Sequence, residues 1–162
     1  MFHAAAPAGD RGQVYESALG QLKGLIYDEP SVIANLANAS ALLNFTLQDI
    51  NWAGFYLYDG QELVLGPFQG LPACIRIPLG RGVCGTSAQN RETVVVEDVN
   101  LFPGHIACDA ASNSEIVVPI VQDGRLIGVL DIDSPLKGRF DETDKHFLEA
   151  FVQVLVEHVK FD

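Results

Sequence analysis

The chain has 162 residues, 48 % of them hydrophobic, and a formal net charge of −11. A chain of this length buries roughly 70 % of its unfolded surface, so one domain with a sizeable core is expected. The acidity repels phosphate backbones and excludes nucleic acid as a natural partner. No apolar run reaches the ~18 residues of a membrane helix, so no membrane partner is expected either.

The start, MFHAAAPAGD, carries no basic n-region and no long apolar stretch, so it does not read as a secretory leader. Residues 1–10 are expected to be a flexible tail, and 11–162 a single domain. Three cysteines, Cys74, Cys84 and Cys108, are an odd number, which fits reactive thiols in a reducing cytoplasm better than a secreted disulfide framework.

Helical spacing of Val14, Ala18, Leu22, Leu25 and Ile26 predicts a helix over 11–27. A second helix follows Pro30 and Ser31, with Val32, Ile33, Leu36, Ala39 and Leu43 as its apolar stripe. The period then changes. Asn51–Tyr58 reads as a strand that turns at Asp59-Gly60 and returns as ELVLGPF. Trp52, Gly54, Tyr56 and Tyr58 share one face of that strand, and Ala53, Phe55 and Leu57 share the other. Ile75–Pro78 is a short strand, a short helix starts near Cys84, and Thr93–Asp98 is another strand. A loop of small residues, Leu101–Asn113, leads into two strands, EIVVPIVQ and RLIGVLDIDS. Asp141 caps a final helix with Phe147, Leu148, Phe151, Leu155 and Val159 as its stripe. The pattern is α+β, with about six antiparallel strands flanked by N- and C-terminal helices.

Two sets of residues carry chemistry. Cys84 and Cys108 lie among small residues at a helix start or in a loop, where a helix N-terminus lowers a thiol's pKa. Cys74, between Ala73 and Ile75, also suits a small buried hydrophobe. One nucleophilic thiol with nearby partners is enough to form a sulfenic acid and resolve it as a disulfide. The second set is acidic. Asp131 and Asp133 share a strand face, which also carries Ile127 and Val129 in this reading. A three-residue loop, Gln122-Asp123-Gly124, pairs Val121 with Arg125 and sets Glu115 directly across from Asp131. A two-residue loop would turn Glu115 to the other face; the expectation is the three-residue loop. Carboxylates so crowded cannot all ionise cheaply, so at least one pKa rises. A neutral carboxylic acid can then polarise or protonate a sulfoxide oxygen, while a remaining carboxylate holds an ammonium group. Trp52 and Tyr56 offer a wall for a methyl group, or simply core.

Gly80-Arg81-Gly82-Val83-Cys84-Gly85 matches a dinucleotide fingerprint, but the segment after it is too short and polar for a crossover helix. His105 lies three before Cys108, yet no CxxC or second clustered His supports a metal site, and no metal is expected.

NWAGFYL (51–57), GVCGTSA (82–88), FPGHIACDAASNSEIVVPI (102–120) and VLDIDSP (129–135) together resemble free methionine-(R)-sulfoxide reductase, a stand-alone GAF-domain family. The resemblance runs from about Val14 to Leu155. It implies a GAF fold, with helices mainly on one side of the sheet, and reduction of free methionine-(R)-sulfoxide to methionine. It implies Cys108 as nucleophile, Cys74 as resolving thiol and Cys84 as a third that can also pair with Cys108. Glu115, Asp131 and Asp133 match the family's substrate-binding and sulfoxide-polarising acids, and Trp52 and Tyr56 its aromatic wall. The 101–113 loop, with Ile106, Ala107 and Asp109, would close over the ligand and hold its carboxylate through backbone amides. The family further implies thioredoxin as external reductant, no bound cofactor, and a homodimer. The competing reading is a non-catalytic GAF module sensing a small ligand or redox state, which has no need for three thiols and three pocket acids together.

Overall fold

The computed structural model describes residues 9–105 and 110–162. Helix α1 spans Arg11–Ile26 and opens on a capping box. In it, Asp10 accepts from the Gln13 amide at 2.8 Å and Gln13 accepts from the Asp10 amide at 3.0 Å. Helix α2, Val32–Thr46, is capped by Ser31, whose hydroxyl accepts from the Ala34 amide. The strands are β1 (Trp52–Tyr58), β2 (Glu62–Gly70), β3 (Arg76–Pro78), β4 (Val94–Val96), β5 (Ser114–Gln122) and β6 (Arg125–Ser134). Helix α3, Gly82–Asn90, follows β3, and α4, Glu142–His158, closes the chain from a capping box on Asp141.

All neighbouring strands run antiparallel, in the order β3-β2-β1-β6-β5-β4. Alternation along each strand gives the sheet two apolar faces. Ala53, Phe55, Ile116, Val118, Leu130 and Ile132 pack under α1, α2 and α4 through Leu22, Leu36, Leu43, Phe151 and Leu155. Trp52, Tyr56, Val117 and Val129 face the other way, against Val83, Cys84 and Ala88 of α3. The faces expected for β1 are the observed ones.

Two helical stripes differ in detail. On α1, Tyr15 takes the buried position expected of Val14, because its hydroxyl donates to buried Asp144 at 2.7 Å. On α2, Ile33 is 71 % exposed, since the buried positions run through Asn35, Leu36, Ala39, Leu42 and Leu43.

The β5–β6 hairpin corrects the expected loop. It is a two-residue turn, with Gln122 paired to Arg125 and Val121 to Leu126. Asp123 and Gly124 both have positive φ, 53° and 74°, as the twist-matched hairpin turn requires. Taken alone, that turn would send Glu115 to the helix side. A bulge restores the register: the next pair is Ile120 with Gly128, so Ile127 is the extra residue. Glu115 therefore faces Asp133 directly, and Val117 faces Asp131. The bulge also turns Ile127 onto the helix-covered face, away from Val129. Beside it Gly128 lets β1 come close, since a Cβ there would collide with the Tyr56 carbonyl oxygen.

Candidate active site

The face away from the three long helices carries a half-closed cavity, with an empty volume of about 510 Å3 including its mouth. β1 supplies Trp52 and Tyr56, α3 supplies Cys84, β5 supplies Glu115, and β6 supplies Asp131 and Asp133. The fold thus brings together the six of the expected residues that come from β1, α3, β5 and β6. Cys108, Ile106, Ala107 and Asp109 lie outside the described residues.

The acids are deeply placed: Glu115 is 6 % exposed and Asp131 5 %. Burial holds the Glu115 carboxyl well above the usual carboxylate range, and the neighbouring charges of Asp131 and Asp133 push it further. Burial also raises Asp131, against hydrogen bonds from Glu115 and Cys84 that favour its ionised form. Oδ1 of Asp131 is buried and has no hydrogen-bond partner among the described residues.

Cys84 sits in the first turn of α3, and its thiol lies 3.9 Å from Glu115 Oε2, donating toward it. The lowered pKa expected from the helix N-terminus is overturned. Burial raises the Cys84 thiol well above its usual value, and the charges of Asp131, Glu115 and Asp133 raise it further. A partial dipole charge cannot offset full desolvation beside three acids. Cys84 is a free thiol, and Cys74 is disulfide-bonded.

Trp52 and Tyr56 stack at 5.9 Å between ring centroids, and Trp52 stacks again on Phe68 at 5.0 Å. Their polar ends point at one segment. Trp52 Nε1 donates to the Leu71 carbonyl at 3.1 Å, and the Tyr56 hydroxyl donates to the Cys74 carbonyl at 2.9 Å. Burial and the acid cluster raise the Tyr56 pKa, so the hydroxyl keeps the proton it donates. Sequence reasoning saw the rings and missed these tethers, because a carbonyl partner leaves no residue-type signal.

Arg81, His105 and Ser112 also line the cavity and were not among the expected site residues. Arg81 stands at the N-cap of α3 inside the glycine-rich stretch, and Asn51 donates to Ser112 at 3.1 Å. A polar residue set among glycines or small residues beside a site loop was the only available hint.

The chain matches the GAF domain family over residues 32–158. It is 53 % identical over 146 residues to the free methionine-R-sulfoxide reductase of Escherichia coli (strain K12), covering 90 % of this chain and 88 % of that one. The structure of the Neisseria meningitidis free methionine-R-sulfoxide reductase in complex with its substrate superposes with a TM-score of 0.94. It is 47 % identical and covers 98 % of this chain and 95 % of that chain. The reduced form of fRMsr of Staphylococcus aureus gives 0.87 at 57 % identity, covering 89 % and 94 %. With identity of this order along nearly its whole length, the chain belongs to the GAF domain family and, within it, to the free methionine-R-sulfoxide reductases, a family of oxidoreductases.

Proposed function

We propose that this chain reduces free methionine-(R)-sulfoxide to methionine by thiol chemistry. The observation that carries the reading is one cavity that joins a raised-pKa Glu115, buried Asp131 and Asp133, and an aromatic pair tied to the Cys74 segment. A sulfoxide sulfur becomes electrophilic only when its oxygen is hydrogen-bonded or protonated. Glu115, whose carboxyl burial and the neighbouring acids hold well above the usual carboxylate range, supplies that proton. The carboxylates left ionised hold the substrate ammonium, and the Trp52–Tyr56 rings take its methyl group.

The Cys108 thiolate attacks the sulfoxide sulfur. A Cys108–sulfur bond forms, and the S–O bond breaks as the oxygen takes up two protons and leaves as water. A water molecule then attacks the Cys108 sulfur, the S–S bond breaks with its electron pair going to the departing methionine, one proton is released, and Cys108 ends as a sulfenic acid. The Cys74 thiol then attacks that sulfur, water departs, and a Cys74–Cys108 disulfide forms. Cys84 serves as a reserve partner. A thioredoxin-type dithiol returns the disulfide to thiols and the working unit is a homodimer, as the family resemblance implies, in the reducing cytoplasm that the odd cysteine count fits.

A coupled assay with thioredoxin, its reductase and NADPH tests the reading on the free R epimer, the free S epimer and a peptide-bound sulfoxide. NADPH consumption with the free R form alone is expected, and Cys108→Ser is expected to abolish it while ligand binding persists. No consumption with any substrate, from folded protein with reduced thiols, would leave a ligand sensor as the better account.

The Tyr56 tether yields a separate expectation. Tyr56→Phe keeps the ring and releases the Cys74 carbonyl. Disulfide formation is expected to slow about two- to tenfold, the worth of one net hydrogen bond, with KM for the sulfoxide unchanged. Sulfenic acid trapped by a dimedone-type reagent in single turnovers should rise accordingly. Unchanged trapping would show that the tether does not position Cys74.

A further inference from the structure

We propose that the cavity is also a capture site for a soft divalent cation of the zinc type, held by Cys84, Glu115 and Asp131, and that an ion there excludes the sulfoxide. The three residues come from α3, β5 and β6, and one ligand atom from each lies within 4.8 Å of the others. A tetrahedral zinc bound at ordinary Zn–S and Zn–O lengths places sulfur and oxygen about 3.6 Å apart. The Cys84 Sγ to Glu115 Oε2 separation is 3.9 Å, so that pair needs to close by only a few tenths of an ångström.

A second observation points at a ligand independently of the clustering. Asp131 is 5 % exposed and lines the cavity, and its Oδ1 accepts nothing from any described residue. A buried carboxylate oxygen without a donor is costly unless something enters to meet it. One thiolate with two carboxylates selects zinc or cadmium over magnesium or calcium, which prefer all-oxygen shells. His105 lines the same cavity, and water or a donor from the cavity wall would complete the shell.

The site is invisible to spacing rules. Positions 84, 115 and 131 form no metal motif, and the last two share a face only through the long-range pairing of β5 with β6. The binding half of the proposal stands on geometry alone. The exclusion half rests on the proposed reductase function.

The test uses Co2+ as a spectroscopic probe on the full chain, oxidised until thiol titration counts a single free cysteine. A thiolate-to-cobalt charge-transfer band in the near ultraviolet is expected. It should vanish on addition of one equivalent of Zn2+ and be absent in Cys84→Ser. Asp131→Asn should weaken Co2+ binding by more than the about 10- to 100-fold that outer-shell partners are worth. That second variant decides the matter if Cys84→Ser does not fold. No band in the wild type, or an equal band in Cys84→Ser, overturns the proposal. Free methionine-(R)-sulfoxide is expected to displace the cobalt. A Cys84-dependent band that survives saturating sulfoxide overturns the exclusion half. The coupled assay, run without added metal, tests the reductase reading separately.

Discussion

Glu115→Gln is expected to reduce free methionine-(R)-sulfoxide about 10²- to 10⁴-fold more slowly than the parent, the usual worth of a positioned general acid. KM should change far less. The Gln amide still fills the site and donates a hydrogen bond, but it cannot transfer a proton to the departing oxygen. A parent-like rate in the coupled assay would remove Glu115 from the proton path and pass the role to Asp131. The same variant makes a stability prediction of opposite sign. Burial holds the native Glu115 pKa well above its unfolded value. Between the two, the folded protein binds a proton that the unfolded chain does not. Stability from this group is therefore complete below the unfolded pKa of about 4.3 and declines as pH rises toward the native value. Gln carries no such loss. Urea unfolding is expected to show the variant more stable than the parent near neutral pH, with the difference shrinking toward about pH 4, where Glu is protonated in both states. Each unit of separation between the two pKa values is worth about 1.4 kcal/mol. A variant less stable than its parent at neutral pH would refute the protonated-acid account.

The largest stability effect is expected on the opposite side of the sheet, at Asp144. Its fully buried carboxylate accepts from the Tyr15 hydroxyl at 2.7 Å, Arg11 Nη1 at 2.9 Å, Arg139 Nη1 at 3.2 Å and the Asp141 amide at 2.9 Å. One side chain thus joins α1 to the start of α4. Asp144→Ala leaves the buried Tyr15 hydroxyl and the 11 %-exposed Arg139 guanidinium without their anion. Removing one partner of a buried pair typically costs about 3–5 kcal/mol. For a chain of this size that corresponds to a Tm lower by about 6–20 °C. Reductase activity per folded molecule should be unchanged, because none of these groups lines the catalytic cavity. A loss below about 1 kcal/mol by denaturant titration would mean the network relaxes around the gap.

How far the sequence carried depends on which interactions set each feature. Period-two alternation assigned Trp52 and Tyr56 to one face and Phe55 to the other, because side-chain parity on an unbroken strand is geometry alone. The caps at Ser31 and Asp141 were legible because a side-chain acceptor followed by free amides is a local signal. Glu115 lay beyond local reading. Its face depends on the sum of a turn length and a bulge, and no residue type at Ile127 announces a bulge. The three-residue loop put Glu115 on the observed face by the wrong route and opposite the wrong partner, Asp131 in place of Asp133. Tyr15 was missed because its partner Asp144 is 129 positions away, and tertiary pairing overrides a stripe read from apolar residues alone. The Cys84 thiol was misjudged for a related reason. The helix N-terminus is visible in sequence, but the three acids that outweigh it gather only when the sheet forms.

The extra residue at Ile127 also constrains how the hairpin can re-pair at constant chain length. Drawing Gln122 into the Asp123-Gly124 turn as a third loop residue, with the bulge kept and nothing inserted, would rotate Ser114–Ile120 by one face relative to β6. Glu115 would then enter the layer of Leu36 and Phe151, and Ile116 would enter the cavity. A carboxyl group buried in that layer without a partner would unfold the domain long before it altered catalysis. Loop lengthening and loss of the bulge must therefore occur together. Drift in turn length is coupled here to drift in strand regularity, and the two changes should appear paired across lineages.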